Sequence, residues 1–99
     1  MRYLPTEALL DGLPHVLWKE VDEGWIRFDP AAAQTLLLTP IARFVLERVA
    51  IAGASAGVGD LVAAVLREEP EAGHDACRSL VEAALQALVE AHLIRPSAP

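Results

Sequence analysis

The chain contains 99 residues, of which 54% are hydrophobic and 22% are charged, and its formal net charge at pH 7 is −6. This length supports one domain with a single modest core. The acidic balance argues against nucleic acid and anionic membrane surfaces as partners, because both attract proteins with a surplus of Lys and Arg. The lone cysteine, Cys77, excludes an internal disulfide and fits a reduced compartment.

The N-terminal segment lacks the features of a targeting sequence. Pro5, Glu7 and Asp11 stand where a signal peptide needs a basic start and an unbroken apolar run. No apolar run in the sequence approaches the roughly eighteen residues that a membrane-spanning helix requires. We therefore expect a cytoplasmic protein that forms a single domain over residues 1–99.

The first part of the chain predicts a small sheet. Residues 1–14 predict an irregular arm, because Pro5, Gly12 and Pro14 interrupt it. Residues 15–38 predict a three-stranded antiparallel meander, in which each strand shows the alternation of side chains that marks a half-buried strand. The predicted strands are His15–Val21, Trp25–Asp29 and Gln34–Leu38.

Two short turns connect these strands, and the alternation is clearest in the middle one. Ile26 and Phe28 point to one side of the strand, and its odd-numbered residues point to the other. Residues 22–24 form a short polar turn that ends in a glycine, and residues 30–33 form a turn of ordinary hairpin length. The third strand, residues 34–38, is then expected at an edge of the sheet.

Three helices are predicted after the sheet. Thr39 can cap the first helix with its hydroxyl. Pro40 fits the first helical position, because a backbone N–H there would have no hydrogen-bond partner within the helix. Strands followed by helices predict an α+β fold, and residues 40–92 with their short connections suit a winged helix-turn-helix. The predicted helices are Pro40 to about Ala52, Val58–Glu68 and His74–His92, and a short extended end follows at Leu93–Arg95.

The sequence gives little support for catalysis or for a bound metal. His15, His74 and His92 are scattered, and His74 with Cys77 lacks further ligands at a plausible spacing. Cys77 aligns with apolar positions of the third helix and is interpreted as a small core residue. We predict no catalytic residue, no metal ligand and no cofactor.

The third helix presents a wide apolar arc, about half of its circumference by the 100° rotation per residue. Leu85 and Val89 lie at one flank of the arc beside Arg78. The other apolar residues of the arc are enough to form the core, so these two side chains need a separate explanation. Either the sheet or the N-terminal arm covers them, or they form a groove whose other wall is the third strand. An edge strand offers unpaired N–H and C=O groups to an extended peptide. The candidate peptide-binding residues are Gln34, Thr35, Leu36, Leu37, Leu38, Arg78, Val81, Leu85 and Val89.

The segment FDPAAAQTLLLTPIARFVLERV resembles the central signature of the PqqD family. The matching residues are Asp29-Pro30, Gln34-Thr35, Leu37-Leu38 and Thr39-Pro40. They stand in the family's order: a strand that ends in an Asn/Asp-Pro turn, a polar pair, Leu-Leu, Asn/Thr-Pro and an amphipathic helix. The chain also resembles the subset found beside HPr-kinase-like proteins, the HPr-rel-A subset.

This resemblance implies a RiPP recognition element, which holds the leader of a ribosomally made precursor peptide between the third strand and the third helix. It also implies a peptide-modifying enzyme as partner, either a radical-SAM protein or one encoded near an HPr-kinase-like protein. The strand residues 34–38 are supported by the resemblance. The assignment of the four helix residues to the binding site depends on the apolar arc alone. These residues are Arg78, Val81, Leu85 and Val89.

Three functions follow as hypotheses. The first is a non-catalytic peptide chaperone that captures a leader by β-strand addition and presents it to the modifying enzyme. The second is a winged helix-turn-helix transcription regulator, although its third helix offers Asp75, Glu82 and Glu90 against Arg78, a poor surface for phosphates. The third is a permanent accessory subunit that docks through its apolar surface on a larger protein.

Overall fold

A three-stranded meander followed by three helices is the main feature of this α+β fold, as the sequence predicts. The computed structural model describes residues 2–6, 16–30, 33–52 and 56–97. A one-turn 3-10 helix, Pro70–Ala72, precedes the last helix. The strands are β1 Arg2–Pro5, β2 Leu17–Val21, β3 Gly24–Asp29, β4 Gln34–Leu38, β5 Ala56–Gly57 and β6 Ile94–Pro96, and the helices are α1 Pro40–Ala52, α2 Val58–Glu68 and α3 His74–Glu90.

The meander has the strand order β2-β3-β4, with both neighbouring pairs antiparallel. The predicted bounds of the third strand are confirmed, and the second strand begins one residue earlier, at Gly24. The first strand begins at Leu17, and His15 lies outside the described residues. β2 and β4 are therefore the two edges of this sheet.

The turn between β2 and β3 fixes the hydrogen-bonding pattern of the whole meander. Val21 lies opposite Gly24 across a two-residue turn, so these two residues exchange both backbone hydrogen bonds. Even-numbered residues of β3 then bond to β2, and odd-numbered residues bond to β4. It follows that Thr35 and Leu37 of β4 point their N–H and C=O groups away from β3, toward the open edge.

A second sheet corrects the prediction for the N-terminal segment. Residues 2–5 form β1 instead of an irregular arm, and residues 7–15 lie outside the described part of the chain. β1 is the middle strand in the order β5-β1-β6, with Tyr3 opposite Pro96 in an antiparallel pair. β6 corresponds to the predicted extended end, shifted by one residue. This sheet brings residues 2–5 together with residues 56–57 and 94–96.

The helices and their shared core agree with the predicted periodicity. α1 and α2 have the predicted bounds, and α3 ends at Glu90, where a turn with His92 at φ 62° follows. Thr39 caps α1 by accepting a hydrogen bond from the Ala42 N–H at 3.1 Å. None of the helices in these ranges has the length and apolar character needed to cross a membrane. The core consists of Leu38, Ala42, Val45, Leu46, Val49, Leu61, Val62, Val65, Cys77, Val81, Ala84, Leu85, Leu88, Leu93 and Ile94.

We expect Gly24→Ala to destabilise the fold strongly. Gly24 has φ 146°, which L-residues rarely adopt, and an added β-carbon would collide with the carbonyl oxygen of Leu38. Strain of this kind costs about 1–3 kcal/mol before the collision is relieved. Urea denaturation measures the loss in the free energy of unfolding.

Gly59→Ala is the matched control for this substitution. Gly59 lies in the first turn of α2, and an added β-carbon there meets no atom within 4 Å. Since Ala favours a helix over Gly by up to about 1 kcal/mol, this variant should be as stable as the wild type or slightly more stable. Equal losses in the two variants would contradict the assigned role of Gly24.

Candidate functional site

An apolar groove runs along the open edge of β4, between this strand and α3. Its volume is about 270 Å³, and we call it the edge groove. Among the described residues that line it, Thr39 is the one polar residue, and none is charged. The lining residues are Leu37, Leu38, Thr39, Ile41, Ala42, Leu80, Ala83, Ala84 and Ala87.

The strand side of the groove is held in place at both of its ends. Gln34, at the start of β4, donates a hydrogen bond from Nε2 to the carbonyl oxygen of Ala91, just after α3, at 3.4 Å. Leu38, at the other end, is buried in the core. β4 and α3 therefore run in opposite directions, with the groove between them. Leu37 remains 59% exposed at the open edge.

The helix side of the groove is formed by small residues. Ala83, Ala84 and Ala87 line it at helical spacing, and Leu80 lies one turn earlier with 43% of its surface exposed. Alanines leave space beside the strand that longer side chains would fill. An extended peptide paired with β4 would direct every second side chain toward this surface.

The predicted helix residues lie elsewhere, which corrects the predicted groove. Arg78, Leu85 and Val89 line a separate cleft of about 620 Å³, which we call the flank cleft. Its other walls include Tyr3 of β1 and Pro96 of β6, not β4. Val81, the fourth predicted helix residue, is fully buried. The structure thus brings none of these four residues to the edge groove.

The error lies in which flank of the α3 arc is left over after core packing. Leu85 is only 2% exposed, so it belongs to the core, and Tyr3 packs against that core from β1. The alternative that the N-terminal segment covers this flank therefore holds for Leu85, whereas Arg78 and Val89 still line the flank cleft. The opposite flank, with Leu80, Ala83 and Ala87, is the one that borders the open edge of β4. A run of small residues beside one exposed leucine is the sequence signal that could have identified it.

The face of the meander that is turned toward α1, its inner face, carries both tryptophans and Arg27. The guanidinium of Arg43, on α1, lies 3.6 Å from the ring centroid of Trp25 and 4.6 Å from that of Trp18. Arg43 also donates from Nε to Oε1 of Glu47 at 2.8 Å. Cation–π stacking of this kind contributes roughly 0.5–2 kcal/mol. It fixes α1 against the inner face of the sheet.

Arg27 lies on the same inner face and is buried. Burial lowers the pKa of its guanidinium, and the nearby charge of Asp29 partly opposes that shift. Its Nε and Nη2 atoms have no hydrogen-bond partner among the described residues, and its guanidinium lies 5.9 Å from the ring centroid of Trp18. Within the described ranges, no three His, Cys, Asp or Glu side chains are grouped to hold a metal ion.

The opposite face of the meander, which we call the outer face, is apolar and exposed. Leu17 lies opposite Phe28, and Ile26 lies opposite Leu37, so these side chains are cross-strand neighbours. Leu17, Phe28 and Leu37 are exposed. Lys19 is paired with Ile26 on this face. Contiguous apolar surface on a small domain commonly marks a contact with another protein.

Alanine substitutions should distinguish the two flanks of α3. Leu85→Ala removes a side chain from the core and should lower the free energy of unfolding by about 2–5 kcal/mol. Leu80→Ala removes a side chain from the rim of the edge groove and should cost less than about 1 kcal/mol. Chemical denaturation measures both. A larger loss for Leu80→Ala would mean that the wrong flank has been assigned to the core.

Comparison with known proteins gives a fold relationship. No family model matches the chain, and no curated protein matches it significantly. A solved structure of "Lasso peptide synthetase B1 complexed with the leader peptide" is similar to it, with a TM-score of 0.61 over 97% of this chain and 100% of that chain. The sequence identity is 16%. The chain therefore shares its fold with a lasso peptide synthetase B1 whose structure contains the leader peptide.

Proposed function

We propose that this chain is a non-catalytic peptide chaperone. It captures the leader of a ribosomally synthesised precursor peptide as an added strand on β4 and presents the rest of the peptide to a modifying enzyme. The observation that carries this proposal is the open edge of β4 beside a groove without charged residues. The shared fold with a leader-bound synthetase subunit supports it.

The chemistry of the site fits an extended, apolar segment of peptide. Thr35 and Leu37 each direct one N–H and one C=O toward the open edge, four groups in all. A peptide strand can satisfy these groups with its own backbone whatever its sequence. Specificity then comes from the side chains that enter the edge groove, and these must be apolar because a charge there would lose its hydration without gaining a partner.

The magnitudes favour reversible binding. Four backbone hydrogen bonds contribute about 1 kcal/mol each. Two or three buried aliphatic side chains contribute about 1.5–3 kcal/mol each. Association costs several kcal/mol or more. With the favourable contributions at the upper end of these ranges, the balance approaches the roughly 8 kcal/mol of a micromolar dissociation constant, which suits a carrier that must release its peptide.

The identity of the receiving enzyme follows from the family resemblance alone. It is a radical-SAM protein or, for the HPr-rel-A subset, an enzyme encoded near an HPr-kinase-like protein. The chain itself positions the peptide and takes no part in the modification reaction, because its edge groove is lined by aliphatic side chains and Thr39.

A second candidate function is a permanent accessory subunit, and one observation favours it. The outer face exposes Leu17 and Phe28, which lie away from the edge groove and would suit a lasting contact with a larger protein. The transcription regulator has no comparable support. Arg78, the one Lys or Arg of α3, forms an ion pair with Glu82 at 3.0 Å, so this helix has no surplus of positive charge for phosphates.

An amide NMR titration tests the proposal. The labelled domain is titrated with synthetic peptides encoded beside its gene, and a random DNA duplex serves as control. We expect shifts at residues 34–38 and around Leu80–Ala87 with one peptide and none with DNA. An absence of chemical-shift changes with every peptide would favour the accessory subunit instead. Shifts along α3 with DNA would favour the regulator.

Leu37→Pro should weaken peptide binding far more than Glu82→Ala. The N–H of Leu37 points to the open edge, so proline removes a donor to the peptide without removing a hydrogen bond between β3 and β4. Glu82 lies on the other flank of α3, in the flank cleft. Calorimetric titration of both variants, each shown by circular dichroism to be folded, measures the difference. Equal effects would exclude strand addition at β4.

Filling the edge groove should abolish binding. Ala87→Phe places a ring in the groove, whereas Gln86→Phe places the same ring in the flank cleft, one residue away on the same helix. Both positions are exposed, so neither change should disturb the core. We expect at least about a tenfold loss of affinity for Ala87→Phe, equivalent to about 1.4 kcal/mol, and little change for Gln86→Phe. The reverse pattern would place the peptide in the flank cleft.

A further inference from the structure

β4 differs from the other edge strands of the two sheets in having no protection against pairing. Natural edge strands commonly carry a charge or a proline that discourages another strand, or they are very short. Among the described strands, β2 has Lys19 and Glu20 in its interior, β5 consists of two residues and ends with Gly57, and β6 contains Arg95 and Pro96. β4, with the sequence QTLLL, has none of these.

The described lining of the edge groove beside β4 is also uncharged, although the chain as a whole has a net charge of −6. Two copies of an acidic protein repel each other least where both surfaces are neutral. We infer that β4 pairs with β4 of a second copy of this chain, forming a reversible homodimer through the same edge that accepts a peptide.

The hydrogen-bonding pattern of β4 is complementary to itself. In antiparallel pairing about a two-fold axis, Thr35 lies opposite the partner's Leu37 and Leu37 lies opposite the partner's Thr35, with Leu36 at the axis. All four outward groups of each strand then meet a donor or an acceptor. The two meanders join into one six-stranded sheet, since each contributes three strands.

The symmetry also brings the two α3 helices to the same side of the joined sheet. A two-fold axis within a sheet runs perpendicular to it and keeps the inner faces of both copies on one side. The flank of α3 that borders β4 carries Leu80, Ala83 and Ala87. Small residues allow two helices to approach closely, and burial of the exposed Leu80 adds apolar contact.

Peptide binding and dimerisation then compete for one edge. This competition depends on the proposed function, but the self-association does not. Since a dimer needs two chains, its fraction rises with protein concentration, and the apparent affinity for a peptide falls in parallel. A precursor peptide would release monomers from the dimer and occupy the same backbone groups.

Sedimentation equilibrium of the full chain tests the self-association. The wild type should show a monomer–dimer equilibrium, and Leu37→Lys should weaken it at least about tenfold because it places an ammonium group at the edge. Ile51→Lys is the matched control, since Ile51 is 80% exposed on α1 and its replacement changes the net charge equally. Leu37→Pro provides a second edge variant if Leu37→Lys fails to fold.

Two results would overturn the inference. One is a wild-type chain that stays monomeric up to about 1 mM, where an association of −4.1 kcal/mol would be half complete. The other is a dimer that Leu37→Lys leaves intact while the variant remains folded. An intermolecular nuclear Overhauser contact between the Thr35 and Leu37 amides in a mixed-label sample would support the pairing directly.

A final experiment tests this inference separately from the proposed function. The synthetic peptide that binds in the NMR titration is added to the dimer during sedimentation. Dissociation to monomer supports competition for one edge, and a peptide-bound dimer contradicts it. If no peptide binds but the dimer forms and Leu37→Lys disrupts it, the proposed function fails and the self-association stands.

Discussion

The two-residue turn between β2 and β3 is the constraint on which the candidate site depends. It places Val21 opposite Gly24, and this single pairing decides which residues of β3 and β4 bond inward and which bond outward. A shift of one residue would turn Thr35 and Leu37 toward β3 and remove their backbone groups from the open edge. Gly24 reinforces the register, because only a glycine allows its backbone to pass so close to the end of β4.

The burial of the meander follows from the contact between Arg43 and two tryptophans. A strand with Ile26 and Phe28 on one side would ordinarily turn that side to the core. Here the Trp25 side faces α1, where the guanidinium of Arg43 stacks on its ring, and Arg27 is buried beside it at the cost of unpaired N–H groups. Because the Trp25 side of the strand faces α1, the apolar side with Ile26 and Phe28 becomes the exposed outer face.

Local periodicity was sufficient for the meander and the three helices, because their determinants lie within a few residues of each other. It was insufficient for the second sheet, since β1 pairs with segments more than fifty residues away in sequence through only two or three residues each. That omission caused the error in the site. Without β1 and Tyr3, nothing in the sequence shows that Leu85 is covered and that Leu80 is left at the surface.

Function and protection impose opposite demands on β4. A strand that must accept a peptide cannot carry the charges or prolines that prevent unwanted pairing, so protection has to come from the rest of the molecule. The chain has 14 acidic and 8 basic residues, and this acidic excess supplies the protection. Two copies repel each other more strongly when they approach through charged surfaces than through the neutral edge. In the proposed dimer, the acidity that argues against nucleic acid as a partner therefore favours approach through the neutral edge, where a peptide would compete.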